Sequence, residues 1–426
     1  MWTNWAREQV CAPSATVRPT SEAELAEAVV KAAQSGQTVR AVGSGHSFTD
    51  CACTDGLMVD MTGLNRILSA DMETGLVTVE GGAKLHALGP QLAKRGLGLQ
   101  NQGDIDAQSI TGATATSTHG TGARFTNLSA QIVGLRLVTA DGDVLDLSEG
   151  DDYLAARVSI GALGVISAVT IQTVPLFTLH RHDEPRPLAQ TLDRLDEYVD
   201  GNDHFEFFVF PYGDKALTRT TRRSDEEPVP TPHWKRRIQE DIIENKALNL
   251  LCRTGRRFPQ SAPLINRVIT SGMSESMVQD RAYKVYATER KVRFTEMEYA
   301  IPRENAREAV ERVIDVVHRR NLPILFPLEV RFSAPDDAFL STAYGRDTCY
   351  IAVHQFSGME FETFFRAAEE IMDEYGGRPH WGKRHYQTAA TLRDRYPDWD
   401  RFAAVRDRLD PNRVFINDYT RRVLGD

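Results

Sequence analysis

The sequence predicts an α+β fold of two domains. The chain has 426 residues, more than one ordinary hydrophobic core accommodates. Helical and strand periodicities alternate in its first quarter, whereas the part after Phe177 is richer in strands and aromatic residues. A hydrophobic content of 41% and a charged content of 26% are typical of soluble proteins that mix helices and strands.

Overall charge and cysteine usage exclude several classes of protein. The net charge of −9 argues against a nucleic-acid-binding surface, because phosphate binding depends on clustered Lys and Arg. The five cysteines are scattered and odd in number, which suits reduced thiols better than a disulfide framework. The sequence has neither a signal-peptide pattern nor an apolar run of about 18 residues. We therefore expect a soluble, cytoplasmic protein that binds neither nucleic acid nor membrane.

The first part of the chain has the pattern of a small lobe in which helices and strands alternate. Ser21 and Glu24 form a capping box for a helix that has Leu25 and Val29 on one face and ends by Gly36. Strands are predicted at Val39–Val42, Leu57–Asp60 and Leu76–Glu80, and helices at Ala83–Lys94 and Asp152–Ser159. Ile132–Thr139 and Asp143–Leu147 are predicted to form a hairpin. A glycine turn at Gly161–Gly164 is expected to lead into a long strand.

The second part alternates apolar strands with amphipathic helices. Phe205–Phe210 is a strand dense in aromatic residues. Further strands are predicted at Lys284–Thr288, Phe294–Ala300, Leu325–Phe332 and Cys349–Gln355, and helices at Trp234–Leu251, Arg303–Arg320 and Glu360–Tyr375. A strand-rich sheet backed by helices fits a domain that caps a substrate site.

A loop of small residues follows the Val39–Val42 strand. Residues Gly43–Ser47 leave little side-chain bulk around His46, so successive backbone N–H groups can face an anion. A Rossmann fingerprint is not met, because Phe48 stands at the third glycine position, and the lysine of a P-loop is absent. These residues alone leave open an alternative, in which the loop is only a tight turn and His46 is a hydrogen-bonded polar residue without a ligand.

A second run of small residues extends from Gly103 to Gly122. Nearly every residue after Gln108 is small or hydroxylated, although the apolar Ile110 is kept. Such a run lets the main chain approach a ligand closely and offers hydroxyl and N–H donors to phosphate and ribose. A low-complexity linker is the alternative, but the flanking segments are strongly patterned.

These two runs resemble the vanillyl-alcohol-oxidase-type flavoproteins, in particular their sugar-oxidising branch of aldonolactone and alditol oxidases. The motifs are Val-Gly-Ser-Gly-His-Ser-Phe-Thr at 42–49 and Ser-Ile-Thr-Gly-Ala-Thr-Ala-Thr-Ser-Thr-His-Gly-Thr-Gly at 109–122. The resemblance continues at 380–383 and 410–415, in the same order over essentially the whole chain. It implies a two-lobed FAD-binding domain at 1–175, a substrate-capping domain with an antiparallel sheet backed by helices at 176–410, and a segment at 411–426 that returns to the FAD-binding domain.

The resemblance implies FAD as the cofactor. A ring nitrogen of His46 would be bonded to the 8α methyl carbon of the isoalloxazine. The cysteine that forms a second tether in some relatives is missing from Gly103–Gly122, so we expect a single bond. The residues expected to bind FAD are Val42, Gly43, Ser44, Gly45, His46, Ser47, Gly103, Asp104, Ser109, Gly112, Ser117, Thr118, Gly120, Gly164 and Ile166.

Four residues are expected at the substrate site. Glu329 and Arg331 alternate along a strand, so both side chains share one face, and their apolar neighbours argue against a salt pair on a solvated face. By the resemblance, Arg331 would stabilise negative charge on the reduced flavin and Glu329 would accept a hydrogen bond from a substrate hydroxyl. Lys383 would use a lowered pKa to help remove the hydroxyl proton, or would orient that hydroxyl. His354 would either bind a substrate hydroxyl or pack as a structural residue.

The implied reaction is hydride transfer from a carbinol C–H of a small polyol or sugar lactone to flavin N5, with reoxidation by O2 to give hydrogen peroxide. Gly103 stands where a plant-type dehydrogenase carries an alanine that hinders oxygen, so oxidase activity is expected, unless glycine is needed there only for backbone geometry. The C-terminal motifs are most similar to L-gulono-1,4-lactone or D-arabinono-1,4-lactone oxidases. An alditol oxidase, a lactone dehydrogenase that reduces a carrier, and a non-covalent reductase of nucleotide-sugar metabolism are the alternatives. No metal is expected, because His380 and His385 lack carboxylates at ligand spacing.

Overall fold

The computed structural model describes residues 1–230, 248–287 and 292–426. The predicted α+β class is confirmed, since helices accompany a small parallel sheet and two larger antiparallel sheets. Within the described ranges, no helix has the length and apolar character needed to span a membrane.

The parallel sheet carries the loop that contains His46. Its strands are, in order, Ala15–Val17, Leu57–Asp60 and Val39–Val42. The helix Glu22–Gln34 packs on this sheet and buries its apolar face against it. As predicted, the hydroxyl of Ser21 accepts a hydrogen bond from the Glu24 N–H, at 3.2 Å, and so caps the helix.

A five-stranded antiparallel sheet lies beside it. The order of its strands is Val144–Leu147, Ile132–Val138, Val165–Gln172, Leu76–Glu80 and Ile67–Ala70. The helices in this part of the chain are Leu85–Ala93, Ile110–Ala115 and Gly150–Ala156, with 3-10 turns at Met61–Gly63 and Leu128–Gln131. This part of the chain also has two short pairs of antiparallel strands: Trp2–Thr3 with Val10–Cys11, and Leu97–Gly98 with Val174–Pro175.

An eight-stranded antiparallel sheet dominates the rest of the chain. Its order is Ser276–Arg281, Thr178–Pro187, Lys215–Ser224, His204–Val209, Leu328–Ser333, Thr348–Phe356, Phe294–Pro302 and Arg378–Pro379. The helices Ala306–Arg319 and Glu362–Glu374 cover one face with an apolar core. Because side chains alternate along a strand, the opposite face receives the intervening residues, many of which are charged. The remaining helices are Leu188–Asp193, Leu195–Asp200, Leu248–Arg257, Ala262–Ser271, Ala282–Tyr286, Ala389–Leu392, Trp399–Leu409 and Asp418–Leu424, with 3-10 turns at Pro259–Ser261, Arg303–Asn305 and Arg393–Arg395.

One predicted element has the wrong type. The strand predicted at Lys284–Thr288 is a helix, Ala282–Tyr286, where the structure describes it, and Thr288 lies outside the described residues. Helical spacing lets Ala282 and Val285 pack together with Leu179 in a small apolar cluster. The helix predicted at Trp234–Leu251 lies mostly outside the described residues. Its described residues, 248–251, belong to the helix Leu248–Arg257.

The C-terminal segment lies against the parallel sheet. The Val39 N–H donates to the Val414 carbonyl at 2.8 Å, and Arg40 Nη1 donates to the Phe415 carbonyl at 2.8 Å. Asn417 Nδ2 is within 3.1 Å of three carbonyl oxygens of residues 50–53. The chain end therefore ties down the loop that follows His46, while the exact domain boundaries stay predictions.

Candidate active site

A narrow groove of about 930 Å³ runs along the end of the parallel sheet. Most of its lining comes from three segments: the loop 42–47, residues 108–116, and the glycine turn at 159–166. The backbones approach so closely that a Cβ on Gly43 would lie 2.0 Å from Ser109 Oγ. Gly45 has a φ of +65°, which favours glycine. The groove thus depends on small residues, as the sequence indicated.

The groove fits an extended polar cofactor such as FAD. The hydroxyl oxygens of Ser44 and Ser159 are buried in its wall and have no hydrogen-bond partner among the described residues. Buried polar atoms of this kind normally have a partner, so they point to a bound polar molecule. Arg40 also lines the groove, but its guanidinium is engaged by backbone oxygens, since it donates to the carbonyls of Cys51, Gly161 and Phe415 at 2.8–2.9 Å.

A larger cavity of about 1350 Å³ opens from the end of this groove. The groove and the cavity share His46, Ser47, Gln108 and Thr116 in their walls. His46 therefore lies at the junction, where a ligand extended along the groove reaches the cavity.

Most of the predicted cofactor residues line one of these two spaces. Two do not. Ser117 is fully buried and hydrogen-bonds Thr342 and Asn127, so it holds the loop rather than contacting a ligand. Gly120 lines a smaller cavity behind Arg331. Those that line the groove are Val42, Gly43, Ser44, Gly45, His46, Ser47, Ser109, Gly112, Gly164 and Ile166, and those that line the cavity are His46, Ser47, Gly103, Asp104 and Thr118.

An N-terminal hairpin holds His46 in position. The Trp5 ring stacks on the imidazole with 5.4 Å between centroids, and the Trp5 N–H donates to the Gly45 carbonyl at 2.7 Å. Asn4 Nδ2 donates to the Ser47 carbonyl at 2.9 Å. Burial, followed by the charge of Lys383, lowers the pKa of His46 to about 4, so the imidazole is neutral at pH 7.

Arg331 lies at the centre of a buried carboxylate cluster on the cavity wall. Its Nε donates to Glu206 Oε2 at 2.7 Å and its Nη1 to Asp104 Oδ1 at 3.3 Å, while Nη2 pairs with Glu329. Burial alone would lower the pKa of Arg331, but Asp104 and Glu329 outweigh burial and raise it well above its usual value. The guanidinium therefore stays charged inside the cavity.

Lys383, Glu296 and His354 form a second charged chain. The Lys383 ammonium pairs with Glu296 Oε2, and His354 Nε2 lies 3.4 Å from Glu296 Oε1. Burial lowers the pKa of Lys383, but Glu296 and Glu298 raise it more, so the net shift is upward. The lowered pKa expected for Lys383 is therefore wrong, because two buried glutamates that are distant in sequence face its ammonium. His354 Nδ1 donates to the Pro327 carbonyl at 2.9 Å, which fixes the ring.

Glu298, His119 and His380 form a third group in the cavity. His119 Nε2 lies 3.1 Å from Glu298 Oε1, and the two rings and the carboxylate are close enough to surround a metal ion. However, His380 Nδ1 accepts a hydrogen bond from the Gly382 N–H at 3.0 Å, and burial lowers the pKa of His380 to about 3. A neutral ring has one lone pair, and here it is already engaged. This geometry does not favour metal binding.

Comparison with known sequences places the chain in a family. The sequence model of D-arabinono-1,4-lactone oxidase matches residues 169–423, and that of an FAD-binding domain matches residues 13–148.

The chain belongs to the D-arabinono-1,4-lactone oxidase family.

As a member of this family, the protein is an FAD-dependent oxidoreductase that acts on CH–OH groups. It is 78% identical over 425 residues to the L-gulono-1,4-lactone dehydrogenase of Mycobacterium tuberculosis, with 100% of this chain and 99% of that protein covered. It is 35% identical over 433 residues to the L-gulonolactone oxidase of Mus musculus, with 99% and 97% covered. The resemblance predicted from the two small-residue runs is thereby confirmed.

A solved structure supports the fold. The cholesterol oxidase from B. sterolicum superposes with a TM-score of 0.84 at 18% identity, covering 99% of this chain and 96% of that one. The predicted fold of an FAD-binding domain joined to a large antiparallel sheet is confirmed.

The sequence analysis of this lactone oxidase family member missed several cavity residues. Glu296 and Glu298 alternate along the Phe294–Pro302 strand, which is otherwise mostly apolar. This is the same signal that identified Glu329 and Arg331. Other cavity residues that were missed include Trp5, Phe48, Asp106, His119, Phe294 and His380, while Glu206 lies behind Arg331.

Proposed function

We propose that the protein oxidises a carbinol of a small aldonolactone, with L-gulono-1,4-lactone as the first candidate substrate. One observation carries the proposal: the small-residue groove and the charged cavity meet at His46. The names of its relatives supply the substrate class. FAD held in the groove would supply the two-electron acceptor for the hydride of the carbinol C–H. In this proposal residues 1–175 hold FAD, residues 176–410 cap the substrate, and residues 411–426 return to the FAD-binding part.

Two cations orient the substrate. The Lys383 ammonium, held by Glu296, donates to the reacting hydroxyl oxygen. It stabilises negative charge on that oxygen as the proton leaves, because its raised pKa keeps it protonated. Arg331, held by Glu206 and Glu329, supplies a second positive charge on the cavity wall. Glu329 accepts a hydrogen bond from another hydroxyl of the lactone.

His354 accepts the hydroxyl proton at Nε2. The bond from Nδ1 to the Pro327 carbonyl keeps a proton on Nδ1, so the neutral ring has its lone pair at Nε2. Glu296, 3.4 Å from Nε2, stabilises the imidazolium that forms. The carboxylate lies beside the accepting nitrogen itself, so it favours the ring that carries a proton on Nε2.

His46 forms the covalent link to FAD. A ring nitrogen of His46 would hold the isoalloxazine through its 8α carbon, at the junction of the groove and the cavity. The low pKa of His46 keeps the nitrogen lone pair free for this bond at neutral pH.

The electron acceptor is proposed to be a carrier rather than O2. The relative at 78% identity is named a dehydrogenase, while relatives at 34–35% identity are named oxidases. Gly103, the residue that favoured oxidase activity, has a packing reason to be glycine, because a Cβ there would lie 2.9 Å from the His119 carbonyl oxygen. Oxidase activity is the second candidate, favoured by the names of those more distant relatives.

The test mixes the purified yellow protein with L-gulono-1,4-lactone without oxygen and follows flavin absorbance, with D-arabinono-1,4-lactone and xylitol in parallel. We expect bleaching by a lactone and little by xylitol. When air is readmitted, it should reoxidise the reduced flavin slowly, whereas added cytochrome c should reoxidise it quickly. Rapid reoxidation by air with release of peroxide would instead establish an oxidase. Flavin that remains in acid-precipitated wild type and is lost from His46→Ala supports the link. A flavin that no lactone bleaches contradicts the proposed substrate class.

A further inference from the structure

A ladder of alternating charges crosses the polar face of the large sheet behind Arg331. The strand register places Arg219 opposite Asp183 on one side and opposite Glu206 on the other. On the next strand, Glu206 meets Arg331, whose Nε donates to it at 2.7 Å. Neighbouring strands lie about 4.8 Å apart, so the ladder extends about 14 Å from the cavity wall into the sheet.

Arg219 joins the two carboxylates of this ladder. Its Nε and Nη2 donate to the two oxygens of Asp183 at 2.7 and 3.0 Å, and its Nη1 donates to Glu206 Oε1 at 2.9 Å. The other oxygen of Glu206 accepts the bond from Arg331. Each oxygen of Glu206 therefore has its own arginine. Because a guanidinium is a rigid fork, this arrangement fixes the carboxylate and, through it, the orientation of Arg331.

Arg219 also affects the charge that Arg331 presents to the cavity. Arg331 contacts three carboxylates, those of Asp104, Glu206 and Glu329. Burial would raise the pKa of Glu206, but Arg331 and Arg219 outweigh burial and lower it, so this carboxylate stays charged. Without Arg219, the whole charge of Glu206 would act on Arg331. Arg219 lines the smaller cavity behind Arg331 rather than the catalytic cavity, so it acts through Glu206.

Stability alone does not explain the ladder. Asp183 and Glu206 are only 6% exposed, and a buried ion-pair network is often no more stable than apolar side chains of similar volume. On the other face of the same sheet, Phe205 and Phe207 pack into an apolar core. Charged residues on the polar face that end at the catalytic cavity therefore indicate a role in the site.

We propose that Arg219 is a positioning residue for the oxidation of the lactone: by holding Glu206, it orients Arg331 and preserves the positive charge that Arg331 brings to the cavity. Asp183 holds Arg219 in turn. This proposal rests on the proposed function, in which Arg331 supplies positive charge on the cavity wall. Since the effect is electrostatic, its sign is fixed. Removal of the Arg219 charge should disfavour reduction of the flavin, and removal of the Glu206 charge should favour it.

The reduction potential of the bound flavin tests the charge effect without any substrate, so its outcome is separate from that of the lactone assays. In a reductive titration against reference dyes, Arg219→Gln should shift the reduction equilibrium about tenfold toward oxidised flavin, or about 30 mV for a two-electron couple. Glu206→Gln should shift it in the opposite direction. The double variant should return close to wild type, because it restores the net charge of the ladder. Arg219→Lys, which keeps the charge, should shift it least.

The kinetics of flavin reduction by the lactone test the positioning. At saturating lactone, Arg219→Gln should reduce its flavin about tenfold more slowly than wild type. Adding Glu206→Gln should recover part of that loss, since Arg331 then no longer faces an uncompensated carboxylate. If Arg219→Gln does not fold, the comparison of the double variant with Glu206→Gln alone isolates the charge of Arg219.

Arg303→Gln is the matched control. The Arg303 side chain is 19% exposed, against 16% for Arg219, and it also pairs with two carboxylates, but it lines neither cavity. Its replacement should lower the melting temperature and leave the potential and the reduction rate unchanged. An equal shift of potential in Arg303→Gln and Arg219→Gln, an unshifted potential in Arg219→Gln, or a downward shift in Glu206→Gln would overturn the proposal.

Discussion

The cofactor groove and the catalytic cavity meet at His46, yet they are built in opposite ways. The groove is made of backbone and small side chains from three loops, and its buried cation, Arg40, is directed into carbonyl groups. The cavity is made of charged side chains that alternate along strands of the large sheet, such as Glu296 and Glu298. The groove therefore depends on the absence of bulk, and the cavity on the balance of charge.

This difference predicts different sensitivities. An added methyl group should damage the groove, whereas the removal of one charge should damage the cavity.

Replacing Lys383 tests the charge of the cavity. Lys383→Met keeps most of the volume but removes the ammonium beside Glu296, and we expect the rate of flavin reduction by the lactone to fall about 10³-fold. Lys383→Arg, which keeps the charge, should recover part of that loss. Rapid mixing under anaerobic conditions measures the step directly.

The exposed Lys94→Met provides the control and should leave the rate unchanged. If Lys383→Met reduced the flavin within a few-fold of wild type, the lysine would only fill space and the contrast between the two regions would be lost. The FAD content of Lys383→Met should be measured as well, and it should match that of wild type, because Lys383 does not line the groove.

The proton acceptor in the cavity gives a pH dependence. Burial lowers the pKa of His354, but Glu296 raises it more, so the net value lies above the usual 6.5. Since only the neutral ring accepts the hydroxyl proton, the reduction rate should fall about tenfold per pH unit below that pKa. Glu296→Gln removes the raising charge and should shift the midpoint to lower pH. An unchanged midpoint would remove His354 from this role.

Much of the groove, but less of the cavity, was predictable from the sequence, for a physical reason. The groove loop is contiguous, so residues 42–47 display its small side chains in one motif. The cavity instead combines residues from strands that are neighbours only in the sheet. Glu298 and Glu329 both pair with Ala352, a register that no local pattern reveals. The error at Lys383 followed, because its pKa depends on glutamates that are distant in sequence.

Adding bulk tests the groove. A methyl group on Gly43 would lie 2.0 Å from Ser109 Oγ, so Gly43→Ala forces the two loops apart. Overpacking of this kind costs about 1–3 kcal/mol, and we expect FAD affinity to fall by about tenfold to 100-fold. Titration of the apoprotein with FAD in a His46→Ala background, in which no covalent link forms, measures it.

A second substitution separates a steric effect from a general loss of folding. Ser109→Gly removes both atoms that the methyl group would meet, so the double variant should bind FAD more tightly than Gly43→Ala alone. If the double variant is no better, the groove fails for a reason other than bulk.

The smallest effect is expected where the C-terminal segment supports the groove. Asn417 caps the last helix, accepting from the Thr420 N–H at 2.9 Å, and its Nδ2 donates to the carbonyls of Asp50, Cys51 and Cys53. Asn417→Ala should lower the free energy of unfolding by about 1 kcal/mol for the lost cap, and further for the lost donor. Asn417→Asp keeps the cap acceptor but turns an oxygen toward three carbonyls. If thermal melting shows that Asp is as stable as Asn, the cap alone matters; if Asp is as destabilising as Ala, the tie to residues 50–53 is what holds the loop beside His46.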